Sequence, residues 1–123
     1  MLPGRRTAVP WDMTDHVRLA PAKRLQIRAG GQLIADTDGG YVVHEGTLPA
    51  RYYVPPAAVT AALADGQGGG TCPWKGQWKH LDLDAAGTRI ASAAWTYYET
   101  TPVCAPIRDF IAFYPGKVEI VVE

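Results

Sequence analysis

Polar and apolar positions alternate along Arg24-Leu25-Gln26-Ile27-Arg28-Ala29. A repeat of two puts Leu25, Ile27 and Ala29 on one side of an extended chain, the mark of a half-buried strand. Gly30-Gly31 accepts the positive φ angles of a two-residue hairpin, so Gln32-Leu33-Ile34-Ala35-Asp36 is expected to return beside it. Asp38-Gly39-Gly40 predicts the next turn and Tyr41-Val42-Val43-His44-Glu45 a third strand. Gly46-Thr47-Leu48-Pro49 interrupts the pattern, and Arg51-Tyr52-Tyr53-Val54 is a short strand stopped by Pro55-Pro56, whose missing N–H groups cannot extend a ladder. The fixed φ of Pro56 suits the opening of a short helix from Ala57 to Leu63. Asp65-Gly66-Gln67-Gly68-Gly69-Gly70 predicts a flexible loop.

Beyond a turn at Cys72-Pro73-Trp74-Lys75-Gly76, residues 77–83 and 88–97 predict another hairpin across Asp84-Ala85-Ala86-Gly87. The tail predicts one or two helical turns from Pro106 to Phe110, a strand from Ile111 to Tyr114, a Pro115-Gly116 turn and a last strand over 117–122. Short strands separated by turn residues every 8 to 12 positions, with few helices, predict an all-β fold: an antiparallel sandwich or open barrel with one or two short helices. Residues 1–15, polar and broken by proline, are expected to form a poorly ordered arm before a single domain over 16–123.

Length and charge exclude several classes. A chain of 123 residues makes one domain with one modest core. Its 12 basic residues balance 12 acidic ones, so no net field draws it to nucleic acid or an anionic membrane. The first ten residues lack the apolar run of a secretory signal, and nowhere do about 18 apolar residues follow one another as a membrane helix requires. A cytoplasmic protein is therefore expected, and abundant alanine, glycine, proline and arginine suggest a bacterial source. In that compartment Cys72 and Cys104 are expected as thiols.

The words GQLIAD (31–36), EGTLPARYYVPP (45–56), CPWKG (72–76), AWTY (94–97) and AFYPGKVE (112–119) together resemble the domain of unknown function 427 family, in the family's order over about residues 16–122. That family carries a nucleotidyltransferase-like label. The resemblance implies a β-tent-like fold, in which two antiparallel sheets lean on each other, and a pocket walled by Glu45, Arg51, Tyr53, Cys72, Lys75, Trp95 and Tyr97. Zinc-bearing β-tent relatives hold the metal with paired Cys-x-x-Cys knuckles. This chain has two isolated cysteines, so a structural tetrathiolate zinc is not expected within it.

The residues themselves offer several chemistries. Asp82-Leu83-Asp84 and Asp36-Thr37-Asp38 have the spacing that puts two carboxylates on one strand face, as metal-dependent nucleotidyl transfer requires. Each pair also borders a glycine-containing turn, where aspartate caps backbone amides. The glycine run at 66–70 is not followed by the Gly-Lys-Ser/Thr and helix of a phosphate loop. Cys72 near Lys75, with His80 or His44 as base, is a candidate nucleophile, although free cysteine often serves as a small buried hydrophobe. His44, His80 and Asp82 are too few for a convincing metal site.

The aromatic residues say more. Tyr52, Tyr53, Trp74, Trp78, Trp95, Tyr97, Tyr98 and Tyr114 are many large rings for a small core, and Trp95 and Tyr97 share a strand face, with Ala91 and Ala93 expected to leave space beside them. Arg51 and Glu45 either contact a ligand there or pair with each other to brace residues 46–50. The expectation is a pocket binding a small polar or anionic molecule, with no cofactor specified, in a monomer or homodimer. The alternatives are a nucleotidyltransferase-type enzyme using Asp82 and Asp84, a thiol enzyme using Cys72, and a reader of peptides or modified side chains.

Overall fold

The structure, a computed structural model, describes residues 16–123; the expected N-terminal arm at 1–15 lies outside the described residues. Ten strands follow in order: β1 (Val17–Pro21), β2 (Leu25–Ala29), β3 (Gln32–Thr37), β4 (Tyr41–Glu45), β5 (Arg51–Val54), β6 (Ala62–Cys72), β7 (Gly76–Ala85), β8 (Thr88–Thr100), β9 (Ile111–Phe113) and β10 (Glu119–Val122). They form a seven-stranded sheet ordered β1-β4-β5-β9-β8-β7-β6 and a three-stranded sheet ordered β10-β2-β3. Every strand pair is antiparallel. The fold is all-β, two antiparallel sheets in an open sandwich.

Alternation along the strands sorts side chains onto two faces of the large sheet. Leu25, Ile27 and Ile34 of the small sheet, each fully buried, pack with Val54, Leu81, Leu83, Ala94, Ile111 and Phe113 to make the core between the sheets. Residues one position away, namely Val43, Tyr53, Trp95, Tyr97 and Ala112, gather on the opposite face with Cys104 and Ile107. A 3-10 segment, Pro102–Ile107, covers part of that second face. The rest of it carries the site described below.

One strand went unread in the sequence and three expectations are corrected. The chain at 17–21 is a strand, paired with β4 from Val17↔Glu45 to Pro21↔Tyr41; its proline is tolerated because β1 is an edge. The helix expected from Ala57 to Leu63 shrinks to one 3-10 turn, Pro56–Ala58. The expected loop at 65–70 belongs to β6, which hydrogen-bonds along β7. Between Asp65↔Leu81 and Gly69↔Lys79 the register slips, so Gly66, Gln67 and Gly68 bulge opposite His80 alone. Glycine is required in this strand because a Cβ on Gly69 would strike the Trp78 carbonyl oxygen. Finally, the helical turns expected at 106–110 lie earlier, at Pro102–Ile107, opening on Pro102.

Candidate functional site

The second face of the large sheet holds a pocket of about 310 Å³ lined by Val43, Glu45, Leu48, Pro49, Arg51, Lys75, Trp78, Trp95, Tyr97 and Tyr114. The lining follows from strand parity. Residues two apart share a face, so β4 contributes Val43 and Glu45, β5 Arg51, β8 Trp95 and Tyr97, and β7 Trp78, which is cross-strand from Tyr97. Ala112 of β9 pairs with both Tyr53 and Trp95. Its small side chain gives those rings room to meet, and Tyr114, two residues on, reaches the lining. The 46–50 loop supplies the rim, where Leu48 is 60% exposed.

Trp95 organises the wall. Its Nε1–H donates to the Tyr53 hydroxyl at 3.0 Å, and its ring lies 4.5 Å from that of Tyr114, centroid to centroid. The Arg51 guanidinium carbon sits 5.6 Å from the Trp95 ring centroid, a cation–π contact. Lys75 Nζ lies 5.4 Å from the Tyr97 ring centroid. Burial pushes the hydroxyls of Tyr53, Tyr97 and Tyr114 above the ordinary phenol value, so all three are neutral phenols at physiological pH.

Glu45 is the electrostatic hub. Its Oε1 accepts from Lys75 Nζ, its Oε2 accepts from Trp74 Nε1 at 2.6 Å, and His16 Nε2 stands 3.9 Å away. Burial works to raise the carboxyl, but the hydrogen bonds from Lys75 and Trp74, with the Lys75 charge, outweigh it and hold Glu45 below its usual range. The Cys72–Gly76 turn that delivers Lys75 closes through Lys75 N–H to the Cys72 carbonyl at 3.2 Å and is tied to Thr101, whose hydroxyl donates to the Trp74 carbonyl at 2.9 Å. Gly76 completes it at φ +133°, where a Cβ would meet the Glu99 carbonyl oxygen. The alternative of an Arg51–Glu45 brace is corrected: Glu45 pairs with Lys75, and Arg51 forms no ion pair among the described residues.

Of the residues that the resemblance assigns to the pocket, Glu45, Arg51, Lys75, Trp95 and Tyr97 line it together. Tyr53 stands behind Trp95, fully buried. Cys72 packs at the margin of the same aromatic cluster and is absent from the lining. Trp78 and Tyr114, counted among the rings but not assigned to the wall, belong to it; their positions opposite Tyr97 and two beyond Ala112 would have placed them once the strand order was known. Ala91 and Ala93 do not supply the hollow, since Ala91 is exposed and Ala93 faces the core between the sheets.

The catalytic candidates lie elsewhere or are engaged. Asp82 Oδ1 accepts from the Ser92 N–H at 2.8 Å and Oδ2 from Arg89 at 2.6 Å. These two bonds, Ser92 first, hold its carboxyl below the usual value. Ser92 has a φ of 49°, in a stretch where β8 slips register against β7, and Asp82 ties down that irregularity. Asp82 and exposed Asp84 border a separate hollow of about 120 Å³ with Arg89. Asp36 of the other acidic pair accepts two hydrogen bonds from Arg24, at 2.9 and 2.8 Å. Cys72 and Cys104 are free thiols, Cys104 fully buried. His80 has both ring nitrogens in hydrogen bonds, and His44 alternates away from Val43 and Glu45 onto the other side of its strand. Among the described residues no three of histidine, cysteine, aspartate and glutamate converge, and no helix is long and apolar enough to cross a membrane.

A family model described as a domain of unknown function, DUF427, matches residues 18–123. No curated protein matches. The family match spans both sheets and every residue lining the pocket, and the chain belongs to the DUF427 family.

Proposed function

We propose that this domain binds a small anion with a planar or apolar body, Arg51 taking the charge and the aromatic wall taking the body. One observation carries the reading. Glu45 is matched by Lys75, whereas Arg51 stands over Trp95 with no carboxylate partner among the described residues. The lining holds one acidic and two basic side chains, leaving one positive charge beside a largely aromatic surface. A guanidinium offers two parallel donors that match a carboxylate or phosphate. The volume suits a metabolite-sized molecule. A cationic ligand is disfavoured, because Arg51 and Lys75 already lie against the Trp95 and Tyr97 rings.

The test is a thermal-shift comparison of 4-hydroxybenzoate, phenyl phosphate and the neutral 4-hydroxybenzamide. At 100 times its dissociation constant a bound anion adds about 2.7 kcal/mol, which for a domain of this size raises Tm by roughly 10 °C. The two anions are expected to stabilise the protein, the larger shift identifying the preferred head group, and the amide is expected to have little effect. Arg51→Ala should remove the shift. Equal stabilisation by the amide, or an undiminished shift in Arg51→Ala, would overturn the reading.

A further inference from the structure

The bulge in β6 has a chemical consequence at the pocket. It turns the Gln67 carbonyl toward His80, whose Nδ1 lies 3.0 Å from that oxygen, and His80 Nε2 lies 3.0 Å from the Tyr114 hydroxyl. A carbonyl can only accept, so Nδ1 must carry a hydrogen. In the neutral imidazole Nε2 is then bare and can only accept. The Tyr114 hydroxyl, its sole partner there, must donate to it. Flanking rings hold this arrangement in place: Trp78 stands edge-on to His80 at 4.9 Å, and Tyr114 lies against Trp95.

Tyr114 also lines the pocket. With its proton committed to His80, its oxygen has lone pairs and no donor to offer a ligand. Burial keeps the phenol neutral, so it acts as an acceptor and not as a base. We infer that Tyr114 is a specificity-determining residue, positioned by His80 and the Gly66–Gly68 bulge, and that the ligand is an anion bearing an N–H or O–H donor away from its charged group. The inference rests on the anion-site reading above and adds to it: Arg51 selects charge, and Tyr114 selects a donor. It also accounts for the glycines of β6. Gly68 takes a φ of +88°, and a Cβ on Gly66 would approach Asp82 Oδ1 to 2.6 Å, so the bulge that aims Gln67 depends on residues without side chains.

The experiment measures dissociation constants for benzoate, 4-hydroxybenzoate and 4-methoxybenzoate at about pH 8, where free imidazole is uncharged. The wild-type protein is expected to bind 4-hydroxybenzoate about 5- to 10-fold more tightly than either other probe, the contribution of one neutral hydrogen bond. Benzoate, which is smaller, separates this from a steric effect of the methyl group. In Tyr114→Phe the three constants should fall within twofold of one another. In His80→Phe the phenol is released to donate, and 4-methoxybenzoate should come within twofold of 4-hydroxybenzoate. A histidine ¹⁵N spectrum of the wild-type protein, which needs no variant to fold, should show hydrogen on Nδ1 of His80 and none on Nε2.

Hydrogen on Nε2 instead, equal binding of the three probes by the wild type, or discrimination surviving Tyr114→Phe would each overturn this inference while leaving the anion site standing. No binding by any of the three overturns this inference, and the anion site with it if phenyl phosphate also fails to stabilise the protein.

Discussion

Trp95→Ala is expected to cost about 3 to 5 kcal/mol, the largest effect of any single substitution at the site. Trp95 is 7% exposed, and its removal leaves a cavity at the centre of β8 that Ala112, its cross-strand neighbour, is too small to fill. The loss also strands the Tyr53 hydroxyl, fully buried and bonded to the indole. Trp95→Phe retains most of the buried surface but not the donor. It should cost less, about 1 to 3 kcal/mol, as the unpaired hydroxyl dictates, and Tyr53→Phe in the same background should recover part of that. Denaturant unfolding of the four proteins measures these differences. Anion binding should weaken in Trp95→Ala even where the fold persists, because Arg51 loses the ring face that positions it.

Glu45→Ala should have the second-largest effect, about 2 to 3 kcal/mol. Lys75 and Glu45 side chains are 12% and 13% exposed, and deleting the carboxylate leaves an ammonium and the Trp74 N–H without their acceptor. The figure lies below the roughly 3 to 5 kcal/mol of a fully enclosed pair because water reaches the pocket mouth. Glu45→Gln should cost less, since its amide oxygen still accepts one hydrogen bond. The folded-state value of Glu45 lies below its unfolded one. The stability it contributes is therefore fully present above about pH 4.3 and is lost as pH falls through the folded value. The gap between wild type and Glu45→Gln should thus be constant from neutrality to about pH 5 and narrow below pH 4. Binding should move the other way: with Lys75 unmatched, the folded variant should hold an anion about 3- to 10-fold more tightly. A merely damaged pocket would bind less tightly, so Tm and dissociation constant together separate the two roles.

Legibility of the fold depended on what stabilises each strand. The β2–β3 hairpin was readable because Leu25 and Ile27 alternate with polar residues ahead of Gly30-Gly31, and both glycines take positive φ. β6 was not, because Ala62–Cys72 has a single β-branched residue, Thr71, and no aromatic one. It is extended because β7 offers a partner, and its glycines let two backbones approach. Tertiary pairing likewise overrode the helical tendency of Ala61, Ala62 and Leu63. The family resemblance grouped Glu45 and Arg51 with Trp95 and Tyr97, and parity put the last two on one face of β8; all four line one pocket, but the partner of Glu45 depended on strand order. β4 and β5 are neighbours, which made the local Arg51 pairing plausible. The Cys72–Gly76 turn instead reaches across the face to bring Lys75 to the carboxylate, a contact between residues 30 positions apart. The His80–Tyr114 bond joins still more distant positions and depends on the bulge, which no short-range pattern announces.

The claim that this face of the sheet receives an anion is tested most directly by following indole N–H resonances in a ¹⁵N-labelled sample titrated with 4-hydroxybenzoate. Four tryptophans give four signals. Saturable shifts largest at Trp95 and Trp78, accompanied by movement of the Arg51 side-chain resonance, are the predicted result. Shifts concentrated instead at Arg89 and Ala62–Ala64, around the smaller hollow, or an unchanged spectrum at millimolar ligand, would contradict it.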